Sequence, residues 1–131
     1  MTNFGTSHTT FNGYEYNEFG VCTNPDRCYA FGNDHYTYFE IEVSETPNGW
    51  SYGYDWHFDC AGGGGPCMID DPKPFPTRSK AIIACAKGIK TSLSFLRKKN
   101  PKMEAELDRI IAVESVKKKP QIKQLTIFDY L

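Results

Sequence analysis

The sequence predicts an α+β fold in which an antiparallel, hairpin-based sheet is followed by a packed pair of C-terminal helices, in the order β-β-α-α. Two patterns predict this fold. Residues 36–59 alternate apolar and polar side chains about an Asn-Gly dipeptide, whereas residues 77–113 repeat apolar side chains at helical spacing. The 131 residues, 40% of them hydrophobic, suffice for one small core. They exclude both a multidomain enzyme and a wholly disordered chain.

The remaining segments lack a clear period. Residues 1–35 are rich in Asn, Gly, Thr and aromatic residues, and we expect irregular structure there with one short strand. Residues 60–76 are rich in Gly and Pro and predict a long loop. We therefore expect a single domain over 1–113, a basic linker over 114–123 and a separate C-terminal peptide over 124–131.

The hairpin prediction rests on the turn dipeptide Asn48-Gly49, a strong signal for a tight connection between two strands. A turn at this dipeptide pairs Phe39 with Trp56 and Ile41 with Tyr54. These four side chains then share one face of the sheet. We expect the first helix to pack across this aromatic face.

Two capping residues predict where the helices begin. Thr77 is suited to cap a helix over 77–98, and Asn100, followed by a proline, is suited to cap a second helix over 101–113. Both helices carry an apolar stripe. The stripes consist of Ile82, Cys85, Ala86, Ile89, Leu93 and Leu96 in the first helix and Met103, Leu107, Ile110 and Ile111 in the second.

The formal net charge of −1 conceals a split between two parts of the chain. Residues up to Pro76 include eleven acidic and two basic residues, a net charge of −9, whereas residues from Thr77 include thirteen basic and five acidic ones, a net charge of +8. We expect the two parts to have different tasks. No apolar run approaches the roughly 20 residues of a membrane span, and no secretory signal is recognisable, so we expect a cytoplasmic protein.

Basic residues gather on one flank of the first predicted helix: Lys80, Lys87, Lys90, Arg97 and Lys98. Such a face suits the phosphate backbone of nucleic acid, which attracts cations without reading sequence. The alternative is an ordinary solvated helix face. No helix-turn-helix is recognisable, so sequence-specific readout is not expected.

The polar face of the predicted hairpin places Glu40 and Glu42 against Asp55, His57 and Asp59. Like charges on paired strands are unfavourable unless a metal ion, the basic helix or water offsets them. A metal-dependent nuclease would need such a carboxylate cluster. A small nuclease that acts through Asp55, His57 and Asp59 is therefore an alternative function, beside a plain solvated face.

The five cysteines are expected to be reduced thiols or metal ligands. Cys22, Cys28, Cys60 and Cys67 could form a four-thiolate zinc site, with His35 or His57 as substitutes, and this gives a zinc-stabilised nucleic-acid-binding module as a further alternative. The spacings differ from the usual Cys-x2-Cys, and without zinc we expect no cofactor. Cys85 lies on the apolar helix stripe and is expected to be buried.

The last eight residues, QLTIFDYL, are unusually apolar for a segment that follows a run of lysines. Residues 124–128 resemble the Gln-Leu-x-Leu-Phe peptide with which bacterial replication and repair proteins bind the DNA sliding clamp. Gln124, Leu125, Ile127 and Phe128 match that pattern, with Ile in place of the usual Leu. The alternative is a final strand or helical turn that docks into the core.

The same eight residues also resemble the box bound by archaeal and eukaryotic clamps, Gln-x-x-aliphatic-x-x-aromatic-aromatic. In that register Gln124, Ile127, Tyr130 and Leu131 match, and Leu131 departs from the aromatic pattern. Either resemblance implies that the glutamine hydrogen-bonds at the rim of a cleft on the clamp while the apolar side chains fill it.

The leading hypothesis from the sequence is a non-enzymatic accessory or regulatory protein of DNA replication or repair, borne by a phage or another mobile element. The sliding clamp is its expected partner, and DNA is the expected partner of the basic helix. A clamp inhibitor is a variant of the same idea.

Overall fold

The computed structural model describes residues 9–32 and 34–129, with side chains described as far as residue 117. It consists of six strands followed by two helices, which confirms the predicted α+β class with a C-terminal helix pair. The elements are β1 (Thr9–Phe11), β2 (Tyr14–Tyr16), β3 (Asp26–Phe31), β4 (Tyr38–Thr46), β5 (Gly49–Phe58), β6 (Ala61–Gly65), α1 (Arg78–Ser94) and α2 (Pro101–Asp129).

The predicted hairpin is the centre of a four-stranded antiparallel sheet with the order β3-β4-β5-β6. Its register is the predicted one, because Phe39 pairs with Trp56 and Ile41 with Tyr54. The Thr46 hydroxyl stabilises the tight turn: it accepts from the Asn48 amide at 3.1 Å and donates to the Gly49 carbonyl at 2.9 Å.

Two segments expected to be irregular are strands, so those expectations were wrong. The region 1–35 contributes a separate two-stranded sheet, β1-β2, and the edge strand β3, while the predicted loop 60–76 begins with β6. Four of the five residues of β6 are glycines, which have no side chains to reveal an alternating pattern. At Gly63 the absence of a side chain matters, because a Cβ atom there would lie 2.8 Å from Nε1 of Trp56.

The first helix covers the inner face of the sheet, as predicted, and the second helix packs against the first. One apolar core joins the sheet to the two helices, and burial of each large side chain in it contributes about 1.5–3 kcal/mol. The sheet contributes Phe39, Ile41, Val43 and Trp56, and the helices contribute Ala81, Ile82, Cys85, Ala86, Ile89, Leu93, Met103, Leu107 and Ile110.

Both predicted caps are present. Thr77 Oγ1 accepts from the Lys80 amide, and Asn100 Oδ1 accepts from the Met103 amide, each at 3.1 Å. The end of α1 was predicted too late, since the helix ends at Ser94 rather than at residue 98. The Phe95 amide bonds back to the Ser92 carbonyl at 3.2 Å, which tightens the last turn and closes the helix.

The second helix was predicted too short. It continues beyond residue 113, across the segment predicted as a linker, to Asp129. Glu114 explains the first additional turn, because its side chain is buried on the same stripe as Met103, Leu107 and Ile110. No helix in the described part of the chain combines the length and hydropathy that a bilayer crossing requires.

A second, small apolar cluster lies on the outer face of the sheet, near the β4–β5 turn. It is formed by Tyr16, Cys22 and Cys67, all buried. The Tyr16 hydroxyl donates to the carbonyl of Glu45 at 2.6 Å and lies 2.8 Å from Oγ of Ser44. This cluster covers the turn end of the outer face, so that Ser44 is fully buried although it faces away from the helices.

Candidate functional site

The other end of the outer sheet face holds an open groove of about 450 Å³, between β3, β4 and β5 and the segment that joins β3 to β4. Most of the polar groups in it are hydrogen-bond acceptors. Its walls include Ala30, Asp34, His35, Tyr38, Glu40 and Asp55.

Glu40 and Asp55 lie directly opposite each other on β4 and β5, as the hairpin register predicts. The Tyr38 hydroxyl donates to Asp55 Oδ1 at 3.0 Å, and Arg27 Nε on β3 lies 3.7 Å from Glu40 Oε1 and 3.9 Å from Glu42 Oε2. The like charges are therefore offset by an arginine and a tyrosine of the sheet itself, a solution that the sequence did not suggest because β3 was expected to be irregular.

The contacts on this face shift the pKa values of one groove residue, Tyr38, and of Glu42 beside the groove. Burial raises the pKa of Glu42 despite the opposing effect of Arg27. The hydrogen bond to Asp55 raises the pKa of Tyr38. The Tyr38 hydroxyl therefore keeps its proton as a donor to the Asp55 carboxylate.

Asp34 and His35 also line the groove. The sequence did not predict that they lie beside the hairpin carboxylates, because residues around them show no periodic pattern. Asp34 Oδ1 accepts from the amides of Tyr36 and Thr37 at 2.8 and 3.0 Å, and these bonds lower its pKa. Asp34 thus shapes the loop that forms one wall of the groove. The local signal for this turn was Asp34 itself, because aspartate side chains commonly accept from the amide two residues later in the chain.

The three residues of the nuclease alternative do not form one cluster. Asp55 lies in the groove, whereas His57 Nδ1 lies 2.7 Å from the carbonyl of Tyr36. Asp59 lies beyond the end of β5 with φ of 61°, and its carboxylate lies 3.7 Å from Nζ of Lys98, a residue that follows α1. The alternating pattern therefore ends at Phe58, and Asp59 leaves the outer face.

The four cysteines of the zinc alternative are also separated. Cys22 and Cys67 lie together in the small outer cluster. Cys28 lies on β3, where its sulfur accepts from Nη2 of Arg78 at 3.4 Å. Cys60 follows β5 and is exposed. Among residues 9–32 and 34–117, no three His, Cys, Asp or Glu side chains are arranged to hold a metal ion. Cys85 is buried as predicted, and burial raises the pKa of its thiol.

Two of the five basic residues predicted to face DNA form ion pairs within the protein. Lys90 Nζ lies 2.6 Å from Oδ1 of Asp108 on α2, and Lys98 pairs with Asp59. Arg97 and Lys98 follow α1 instead of extending it. The exposed basic residues of the predicted set that have no ion pair within the described residues are Lys80, Lys87 and Arg97.

A buried carboxylate that the sequence reading missed connects three elements. Glu114 on α2 is 0% exposed and accepts from the hydroxyl of Tyr29 on β3, from Ser79 Oγ on α1 at 2.8 Å and from Lys117 Nζ at 2.9 Å. Burial opposes ionisation of Glu114, but these three donors outweigh it and lower the pKa. The sequence feature that could have revealed Glu114 is its position, since it lies eleven residues after Met103 on the apolar stripe of α2.

The C-terminal peptide falls largely outside the described part of the chain. The backbone of residues 124–129 continues α2, while the side chains of this segment and residues 130–131 are outside the description. Clamp binding through this peptide therefore stays a prediction from sequence. Comparison of the chain with protein-family models, with curated proteins and with solved structures found no match.

Proposed function

We propose that this protein is a non-enzymatic accessory factor that is recruited to the DNA sliding clamp by residues 124–131. The observation that carries the proposal is the pentapeptide Gln-Leu-Thr-Ile-Phe, which follows a run of lysines and concentrates apolar anchors in a short segment. Short peptides of this kind obtain their affinity from a few apolar side chains that fill pockets on the partner.

The exposed cations of α1 and of the segment that follows it supply the second part of the proposal. Lys80, Lys87 and Arg97 would contact the phosphate backbone of DNA near the clamp. The pairing of Lys90 and Lys98 with aspartates reduces the positive charge that this surface offers, so we propose a weak, non-specific contact that assists recruitment by the peptide.

Clamp titration with the full chain tests the first part. Ile127→Ala should weaken binding by at least about tenfold, since position 127 is an apolar anchor in both clamp-peptide patterns. Thr126→Ala is the matched control, because position 126 is unconstrained in both clamp-peptide patterns, and it should change the affinity by less than about twofold. Both variants are measured by surface plasmon resonance against a purified bacterial clamp and a purified archaeal or eukaryotic clamp.

A second pair of variants identifies the register. Leu125→Ala should abolish binding only in the bacterial register, whereas Tyr130→Ala should do so only in the archaeal and eukaryotic register. If the wild-type chain binds neither clamp at micromolar concentrations, the recruitment proposal is wrong.

The DNA contact is tested by salt dependence. The double variant Lys80→Gln, Lys87→Gln should reduce the slope of log affinity against log salt by about 2 for double-stranded DNA, because two phosphate contacts are removed. Lys73→Gln, a lysine in the loop before α1, is the control and should leave the slope unchanged. An unaltered slope in the double variant would exclude this face as the DNA contact.

A further inference from the structure

Two cysteine residues face each other in the outer layer. Val21 and Met68 form an antiparallel bridge. In an antiparallel pair the residue after Val21 lies opposite the residue before Met68, so Cys22 lies opposite Cys67. The Cys22 amide donates to the Cys67 carbonyl at 2.9 Å, which identifies a hydrogen-bonded pair. Cα atoms in such a pair lie about 5.5 Å apart, within the range of about 4.4–6.8 Å that a disulfide can bridge.

The two side chains also converge. Cys22 and Cys67 are 6% and 1% exposed, and both belong to the small cluster around Tyr16. Membership of one buried cluster places both side chains on the same side of the bridge, against the outer face of the sheet.

We propose that Cys22 and Cys67 form an oxidative modification site, in which a small disulfide oxidant such as oxidised glutathione converts the two thiols into an intramolecular cross-strand disulfide. The bond would join the segment before β3 to the segment after β6. It would fasten the small outer cluster over the sheet and close a loop that contains β3, β4, β5 and β6.

The reaction is a two-step thiol–disulfide exchange. One cysteine loses its proton and its thiolate attacks a sulfur of oxidised glutathione, which forms a mixed disulfide and releases one glutathione thiolate. The second cysteine then loses its proton and attacks the cysteine sulfur of the mixed disulfide, which releases the other glutathione. The two protein thiols are oxidised, oxidised glutathione is reduced, and the two protons are carried by the two released glutathione molecules.

Burial determines how fast the pair reacts. It raises the pKa of Cys67 to about 12 and also raises the pKa of Cys22, so little thiolate is present at neutral pH. Cys60 is exposed, and we expect it to react first and to remain a mixed disulfide with glutathione. Cys22 and Cys67 react more slowly, but they form an internal cross-link, which a single reactive thiol such as Cys60 cannot form.

The experiment treats the folded full chain with an excess of oxidised glutathione until the products no longer change, followed by blocking of free thiols and peptide mass spectrometry. The expected product is a monomer in which the peptides of Cys22 and Cys67 are linked. Its unfolding midpoint should exceed that of the reduced chain by at least about 5 °C, and reduction should reverse the shift.

A variant that keeps only the pair provides the matched comparison. The triple variant Cys28→Ser, Cys60→Ser, Cys85→Ala should still form the link, whereas Cys22→Ala in the otherwise unchanged chain should show no oxidant-dependent shift. Circular dichroism establishes that each variant is folded. If a variant does not fold, the peptide mapping of the oxidised wild-type chain decides the question. Complete modification of Cys60 with unlinked Cys22 and Cys67 would overturn the proposal, as would a link between any other two cysteines.

Discussion

The hydroxyl of Tyr29 on the edge strand β3 donates to the buried carboxylate of Glu114 on α2, a residue 85 positions later in the chain. This bond connects the outermost strand of the sheet to the outermost helix. Ser79 at the start of α1 donates to the same carboxylate, so one side chain connects both helices to the edge of the sheet.

Replacement of Glu114 by alanine should therefore destabilise the protein severely. Tyr29, Ser79 and Lys117 would all lose their acceptor, and we expect the free energy of unfolding to fall by about 2–4 kcal/mol. Urea denaturation followed by circular dichroism measures this loss. Glu106→Ala removes only the exposed pair with Arg109 and should cost less than about 0.5 kcal/mol, and equal losses in the two variants would contradict the role of Glu114.

The stability contributed by Glu114 should depend on pH. The pKa of this carboxyl is lowered in the folded state, so its contribution is fully present above the ordinary pKa of 4.5 and is lost as the pH falls through the lowered value. Wild type and Glu114→Gln should differ most at neutral pH and converge in acid. Parallel urea titrations between pH 7 and pH 3 test this, and a constant difference over that interval would show that the ionised form is not what the three donors stabilise.

Arg27 should stabilise the acidic outer face by a small amount. Its side chain is 62% exposed, so screening by solvent limits the effect of Arg27→Gln to no more than about 1 kcal/mol. The loss should shrink when Glu40 and Glu42 are also replaced by Gln, because there is then no repulsion to offset. A double-mutant cycle measures this coupling, and strictly additive effects would mean that Arg27 acts independently of the two glutamates.

Alanine substitutions at two glycines of the edge strand β6, Gly63 and Gly65, should have different effects on stability. A Cβ atom at Gly63 would lie 2.8 Å from Nε1 of the buried Trp56, so Gly63→Ala should cost about 1–3 kcal/mol and shift the tryptophan emission. A Cβ atom at Gly65 would meet only the ring of Tyr54, at 3.8 Å, and Gly65→Ala should change stability by less than about 1 kcal/mol. Thermal unfolding monitored by fluorescence compares the two, and a Gly63→Ala protein as stable as Gly65→Ala would contradict the close approach.

The sequence predicted the features that side-chain patterns report directly. The Asn48-Gly49 turn set the register of β4 and β5, and the caps at Thr77 and Asn100 marked the helix starts. It failed for β6, because glycines carry no pattern.

The candidate site was less predictable, because its charges are balanced across elements distant in sequence. The carboxylates of Glu40 and Asp55 were placed correctly. Their compensation by Arg27 was not foreseen, since it depends on the pairing of β3 with β4, and β3 shows no strand periodicity of its own. The buried position of Glu114 was not predicted for a related reason. A charged residue on an apolar stripe indicates the end of the buried face, and only the tertiary structure shows that three donors accompany this one.

The order of elements along the chain has a consequence for biosynthesis. All six strands precede both helices, so during translation the hairpin presents Phe39, Ile41 and Trp56 to solvent before the helices that cover them have emerged. The chain up to Pro76 has a net charge of −9, and mutual repulsion between such nascent chains opposes their association through this uncovered aromatic face. The basic residues of the helices are added only afterwards, so the chain carries this repulsion during the interval in which its aromatic face is uncovered.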